Sequence, residues 1–176
     1  MQQNYKRTLV WVVLLMSTTL MAQKPHQPSS AEIYQSLKKL NVLGNVLYLA
    51  AHPDDENQRL IGYMANRELV NSAYLALTRG DGGQNLIGPE LREGLGLIRT
   101  QELLAARRVD GSKQFFTRAN DFGYSKNPEE TLTIWDKERV LHDMVKVIRA
   151  FRPDVIITRF PTDGGGGHGH HTSSAI

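Results

Sequence analysis

Val46-Leu47-Tyr48-Leu49-Ala50-Ala51-His52-Pro53-Asp54-Asp55-Glu56 is the stretch on which the fold turns. Its first six residues are almost all apolar and follow Gly44-Asn45, the pattern of a strand buried on both faces. Pro53 closes that strand, and an imidazole and three carboxylates spill into the loop beyond it. A second stretch follows the same plan more than a hundred residues later. There, Val155-Ile156-Ile157 lead through four glycines, Gly164 to Gly167, into His168-Gly169-His170-His171. Both stretches read as buried strands that end in ligand-rich loops.

Working outward, Ser29-Ser30-Ala31-Glu32 resembles a capping box, with Ile33, Leu37 and Leu40 following at helical spacing. Arg59 to Glu68 is helix-like, Ala73 to Thr78 is a second strand, and Arg79 to Gly88 is a turn-rich loop. Leu97 to Val109 has an amphipathic period, and Gln114 to Thr117 is a short third strand. Thr131 to Phe151 reads as one long helix stopped by Pro153, and Asp154 to Arg159 is the fourth strand. Strands alternating with helices predict a Rossmann-like α/β fold: a doubly wound parallel sheet with helices on both faces. In the order 3-2-1-4, strands one and four are neighbours at the topological switch point, which brings both ligand-rich loops to one crevice.

The 176 residues suffice for one domain with a real core. Lys6-Arg7, the mostly apolar run Leu9 to Leu20 and Ala22 read as a signal peptide over 1–22, too short an apolar stretch to span a bilayer. A polar linker over 23–30 and a catalytic-type domain over 31–176 follow, so a secreted or periplasmic protein without a stable membrane anchor is expected. The net charge of +3 includes Lys6 and Arg7, and the sequence has no basic stripe with interleaved aromatics, which argues against a nucleic-acid partner. The absence of cysteine excludes disulfides and thiolate zinc sites.

His52, Asp55 and His171 are the candidate metal ligands. Two imidazoles and a carboxylate leave a fourth position for water, whose pKa a bound zinc lowers to about 7. Asp54 is adjacent to Asp55, so the two side chains diverge, and one can ligate while the other acts as general base. Glu56 can orient His52 or cap the next helix. His168, if protonated, can stabilise a developing oxyanion, and His170 either orients His168 or faces solvent. His26 and His142 read as solvated. The glycine run also fits G-x-G-x-x-G, but a dinucleotide site needs that pattern in the first strand-to-helix turn, so it is set aside.

These residues resemble a family, the PIG-L (LmbE-like) zinc-dependent N-deacetylases. His52-Pro53-Asp54-Asp55-Glu56 is similar to its first signature, and His168-Gly169-His170-His171 to its second, usually His-Pro-Asp-His. Gly80 to Asn85 resembles its acidic glycine loop, and Arg99-Thr100-Gln101-Glu102-Leu103 its Arg-x-x-Glu-Leu helix. The resemblance implies one Zn2+, or another divalent metal, on His52, Asp55 and His171. It also implies Asp54 as base, His168 as electrophilic stabiliser, and Arg99 and Asp121 as contacts to sugar hydroxyls. The implied substrate is an amino-sugar-containing small molecule or glycan, losing an acetyl group from an N-acetylglucosamine unit.

Gly169-His170 departs from Pro-Asp, and Gly166 stands where some members have tyrosine. The family continues beyond the equivalent of Ile176, so the C-terminal part of the sheet is expected to be missing here. The competing expectations are a non-catalytic carbohydrate- or metal-binding module, an inactive fragment of the deacetylase, or hydrolysis of another amide. The aglycone and the oligomeric state are not legible in the sequence.

Overall fold

The computed structural model describes residues 27–176; the expected leader over 1–22 and residues 23–26 of the expected linker, His26 among them, lie outside the described residues. The chain divides into two units, 1–37 and 38–176. Helix α1, Ser30–Lys39, begins at the capping box read from the sequence. The Ser29 amide donates to Glu32 Oε2 at 2.7 Å, and the Glu32 amide donates back to Ser29 Oγ at 3.3 Å. No helix among the described residues is long and apolar enough to cross a membrane.

The second unit runs β1 Asn45–Ala50, α2 Gln58–Asn66, β2 Asn71–Ala76, α3 Glu93–Asp110 and β3 Lys113–Phe116. It continues with α4 Pro128–Trp135, α5 Lys137–Phe151, β4 Val155–Thr158 and α6 Gly169–Ala175. The four strands are parallel in the order β3-β2-β1-β4, as expected from the sequence. Leu49 pairs with Leu75 on one side and Thr158 on the other, so the ends of β1 and β4 lie side by side. Alternate residues divide between two cores. Leu47, Leu49, Ala73 and Leu75 pack with Trp135, Val140 and Phe151 on one face. Tyr48, Ala50, Tyr74 and Ala76 pack with Ile61, Met64 and Leu103 on the other. Helices cover both faces, so the chain is a doubly wound α/β unit.

Three features differ from the sequence-based expectations. β4 is an edge strand with Val155 and Ile156 exposed, because among the described residues it pairs with β1 alone. The single helix expected over 131–151 is two, separated at Asp136, whose φ is 57°. In one continuous helix Trp135 and Val140 would point about 140° apart at ~100° per residue. The break resets the phase, so both reach the same core, and the Trp135 indole N–H donates to the Asn120 carbonyl at 2.8 Å. Finally, the histidine run is not a loop throughout: Gly169 opens α6, and His168 is its N-cap.

Candidate metal centre

The loop after β1 is fixed by the strand next to it. Tyr74 on β2 is buried and its hydroxyl donates to the His52 carbonyl. Burial, reinforced by the negative charge of Asp55, pushes the Tyr74 pKa well up, which keeps the phenol a donor. The His52 amide donates to Asp55 Oδ2 at 2.7 Å, folding that carboxylate back beside the imidazole. Burial alone would raise the Asp55 pKa, but the hydrogen bonds and charge of His52 and the charge of His171 outweigh it and hold the group below the usual range. Glu56 neither orients His52 nor caps α2. It is buried and pairs with Arg107 of α3 at 3.3 Å, and Asn57 is the cap, accepting from the Leu60 amide.

The second motif is held by packing around glycine. The Gly169 amide donates to the Ser125 carbonyl at 2.9 Å. A Cβ at that position would stand 2.4 Å from Ser125 Oγ, 2.5 Å from the Asn127 carbonyl and 2.7 Å from Thr131 Oγ1. Proline would lose the hydrogen bond and collide with all three, which accounts for glycine here. His171 Nδ1 donates to the Gly166 carbonyl at 2.8 Å, and its ring stacks on Phe160 with centroids 3.9 Å apart. A Cβ on Gly166 would approach the His171 Cβ to 2.9 Å, so a tyrosine cannot stand there without moving the histidine.

These constraints bring His52, Asp55 and His171 together as the sequence predicts. His52 Nδ1 lies 3.4 Å from Asp55 Oδ2, and His171 Nε2 lies 3.5 Å from Asp55 Oδ1. Such distances are long for hydrogen bonds. They match the roughly 3.3 Å edge of a tetrahedron whose ligands sit 2.0–2.1 Å from zinc. With Nδ1 of His171 committed to a carbonyl, its Nε2 is the nitrogen left to face an ion. The donor set fits a borderline divalent cation, held by His52, Asp55 and His171.

Beside this triad lies a cleft of about 310 Å³, lined by His52, Asp54, Gln84, Arg99, Tyr124 and His168 among others. Asp54 is 70% exposed there and pairs with Arg99 Nη2 at 3.2 Å. Asp121 lies at the floor, 5% exposed, with its carboxylate turned toward imidazoles: 3.9 Å from His52 Nε2 and 3.8 Å from His170 Nδ1. His168 Nδ1 accepts from the His170 amide at 3.1 Å, which leaves Nε2 as the protonated nitrogen. Burial, then the charges of His52 and His171, hold the His168 pKa below the ordinary imidazole value.

His170 differs most from expectation. Its backbone amide holds the His168 ring, as one of the two expected roles required, but its own ring does not meet solvent. The ring is fully buried, with Nδ1 2.9 Å from His52 Nε2, Phe122 edge-on at 4.4 Å and Trp135 at 4.8 Å. Burial first, and the surrounding histidine charges second, bring its pKa down to about 3. His142 is exposed as expected. Tyr74, Phe160, Tyr124 and Trp135 carry no sequence signal for the site, since aromatics beside strands read as ordinary core.

Residues 47–175 match the PIG-L family, described as GlcNAc-PI de-N-acetylase. The chain belongs to the PIG-L family. Among PIG-L relatives, it is 31% identical to a 1D-myo-inositol 2-acetamido-2-deoxy-alpha-D-glucopyranoside deacetylase of Kineococcus radiotolerans, over 77% of this chain and 43% of the relative. It is 33% identical to a probable N-acetyl-alpha-D-glucosaminyl L-malate deacetylase 2 of Bacillus subtilis, over 72% of this chain and 54% of the relative. The chain thus spans about half the length of the curated relatives it matches. GalB, the 4-carboxy-2-hydroxymuconate hydratase of Pseudomonas putida KT2440, shares the fold at a TM-score of 0.58 and 16% identity, covering 76% of this chain and 53% of GalB. That likeness concerns fold alone, and a hydratase on this fold shows that the reaction must be argued from the site.

Proposed function

We propose that this PIG-L chain provides the metal-binding and catalytic half of a hydrolase that removes an N-acetyl group from an N-acetylglucosamine-type conjugate. The observation that carries this reading is the His52–Asp55–His171 triad with Asp54 and His168 beside it on one cleft. His52, Asp55 and His171 would hold a divalent cation, Zn2+ by donor type, which when bound would supply Lewis acidity for the amide carbonyl and for water. Asp54 takes a proton from the attacking water and returns it to the departing amine. Arg99 pairs with that carboxylate at 3.2 Å and steadies it beside the cleft. The His168 Nε2–H donates to the carbonyl oxygen as negative charge builds on it. The deacetylase activities of the two relatives support an acetamido sugar as substrate, and the cleft volume suits a single sugar ring. Arg99 lines the cleft, which supports a second role in meeting a sugar hydroxyl. Asp121 reaches the cleft through its floor, so it serves the histidines before any sugar.

Metal analysis combined with acetate release from N-acetylglucosaminyl conjugates tests the proposal. About one essential cation per chain and acetate release should be lost together in Asp55→Ala and His171→Ala. Asp54→Ala should keep the cation and lose turnover by a factor of about 10² or more. Undiminished turnover in Asp54→Ala would remove it as base. Cation binding without acetate release from any conjugate would favour the non-catalytic binding module. The leader reading of 1–22 further proposes export, which N-terminal sequencing of the mature protein from the medium or periplasm would test.

A further inference from the structure

We infer that the chain holds a second divalent-cation position, deeper than the first, formed by His52, Asp121 and His170. The two positions share His52 but through opposite ring nitrogens. Nδ1 faces Asp55, whereas Nε2 faces His170 at 2.9 Å and Asp121 at 3.9 Å. Asp121 meets the two rings through different oxygens, Oδ2 toward His52 and Oδ1 toward His170 Nδ1 at 3.8 Å. Both carboxylate distances are too long for hydrogen bonds, although the groups face one another in a buried setting. One ligand atom from each of the three residues lies within 4.8 Å of the other two, the clustering that a shared cation requires.

The surroundings support the same ligand chemistry. Asp121 Oδ1 accepts from the Gly123 amide at 2.9 Å, and its own amide donates to Asp81 Oδ1 at 3.3 Å, so the carboxylate is held in place. His170 is clamped between Phe122 and Trp135, which fixes the direction of its ring. A cation there would neutralise the buried Asp121 carboxylate. The ligands are imidazole and carboxylate, which selects a borderline ion such as Zn2+ or Co2+ over Ca2+ or Mg2+. The inner position stands on its own atoms; only a bridging role for His52 rests on the outer position being filled as proposed above. When both are filled, the ring proton of His52 leaves to solvent and the imidazole ligates through both nitrogens.

The test is a count of ions. Chelator-stripped protein is equilibrated with Zn2+, dialysed and analysed for metal, and a parallel Co2+ titration is followed by visible absorption. The wild type should bind two equivalents, His171→Ala one, and Asp121→Asn and His170→Asn one each. Asp121→Asn preserves shape, and far-UV circular dichroism checks that both variants fold. A single wild-type equivalent, lost in His171→Ala and kept in both inner variants, overturns the inner position and leaves the proposed deacetylase site intact. A single equivalent kept in His171→Ala and lost in Asp121→Asn establishes the inner position and overturns the outer ligand set instead. Two equivalents in every variant place the second ion elsewhere and overturn the inference.

Discussion

The two loops that meet at the metal centre are held by opposite means. The loop 52–56 leaves a strand buried from Leu47 onward, and its backbone is tied sideways by Tyr74 and the Glu56–Arg107 pair. The segment 166–171 follows an exposed edge strand. Its histidines are placed instead by the start of α6, which packs against the 125–131 segment through Gly169. Sheet burial positions one half of the site and helix docking positions the other. The second half should therefore respond to changes in the 125–131 segment, and the first to changes at Tyr74 and Arg107.

The largest effect should come from Gly169→Pro. The N1 position of a helix accepts proline locally, so any damage comes from tertiary packing. Three atoms within 2.7 Å of a new Cβ and the loss of the Ser125 hydrogen bond should destabilise the fold by about 4 kcal/mol. Chemical denaturation would measure this, and the His171 contribution to metal binding should fall with it. Wild-type stability in Gly169→Pro would show that α6 docking does not place the second motif.

Next is Glu56→Gln, which breaks a buried ion pair and should cost about 3 kcal/mol. The low end of the range applies because Asp110 stays 2.7 Å from Arg107. Adding Arg107→Met should recover much of the loss, since replacing both partners is often near neutral. No recovery would mean that the pair acts on the β1 loop by more than charge.

Tyr74→Phe removes one hydroxyl from the His52 carbonyl and should cost about 1 kcal/mol, with little change in metal count. A weakened metal site at unchanged stability would show that the phenol tunes His52 rather than merely holding the loop.

Asp143→Asn is the distant control. Hydrogen bonds from Arg118 hold Asp143 down at about 2. Because the folded pKa is depressed, its stabilisation is present above pH ~4 and fades as pH falls toward 2. The pair is partly exposed, so the effect is small and screened by salt. Wild type and variant should differ slightly at pH 6, converge near pH 2 and show the same metal binding. A difference that grows on acidification would reverse the assigned sign.

Much of this was legible in the chain itself. The run Val46 to Ala51 could bury both faces only inside a parallel sheet, and the helix-strand alternation then led to the order that brings β1 beside β4. His52, Asp55 and His171 were legible because ligand-type residues clustered where strands end. Trp135 and the break at Asp136 were not, because periodicity records which residues want burial and not where a helix must change phase to achieve it. His170 was the hardest to read, since a histidine between two histidines carries no mark of the direction its ring will take.

Local pattern thus determined the architecture, the neighbouring loops and the donor types, all of which follow from hydrophobic periodicity and side-chain chemistry along the chain. Tertiary structure alone decided which ring nitrogen meets which carboxylate, why glycine precedes His170, and that Asp121 faces imidazoles at the cleft floor. Those outcomes depend on contacts between residues far apart in the chain, fixed only when the helices close over the sheet.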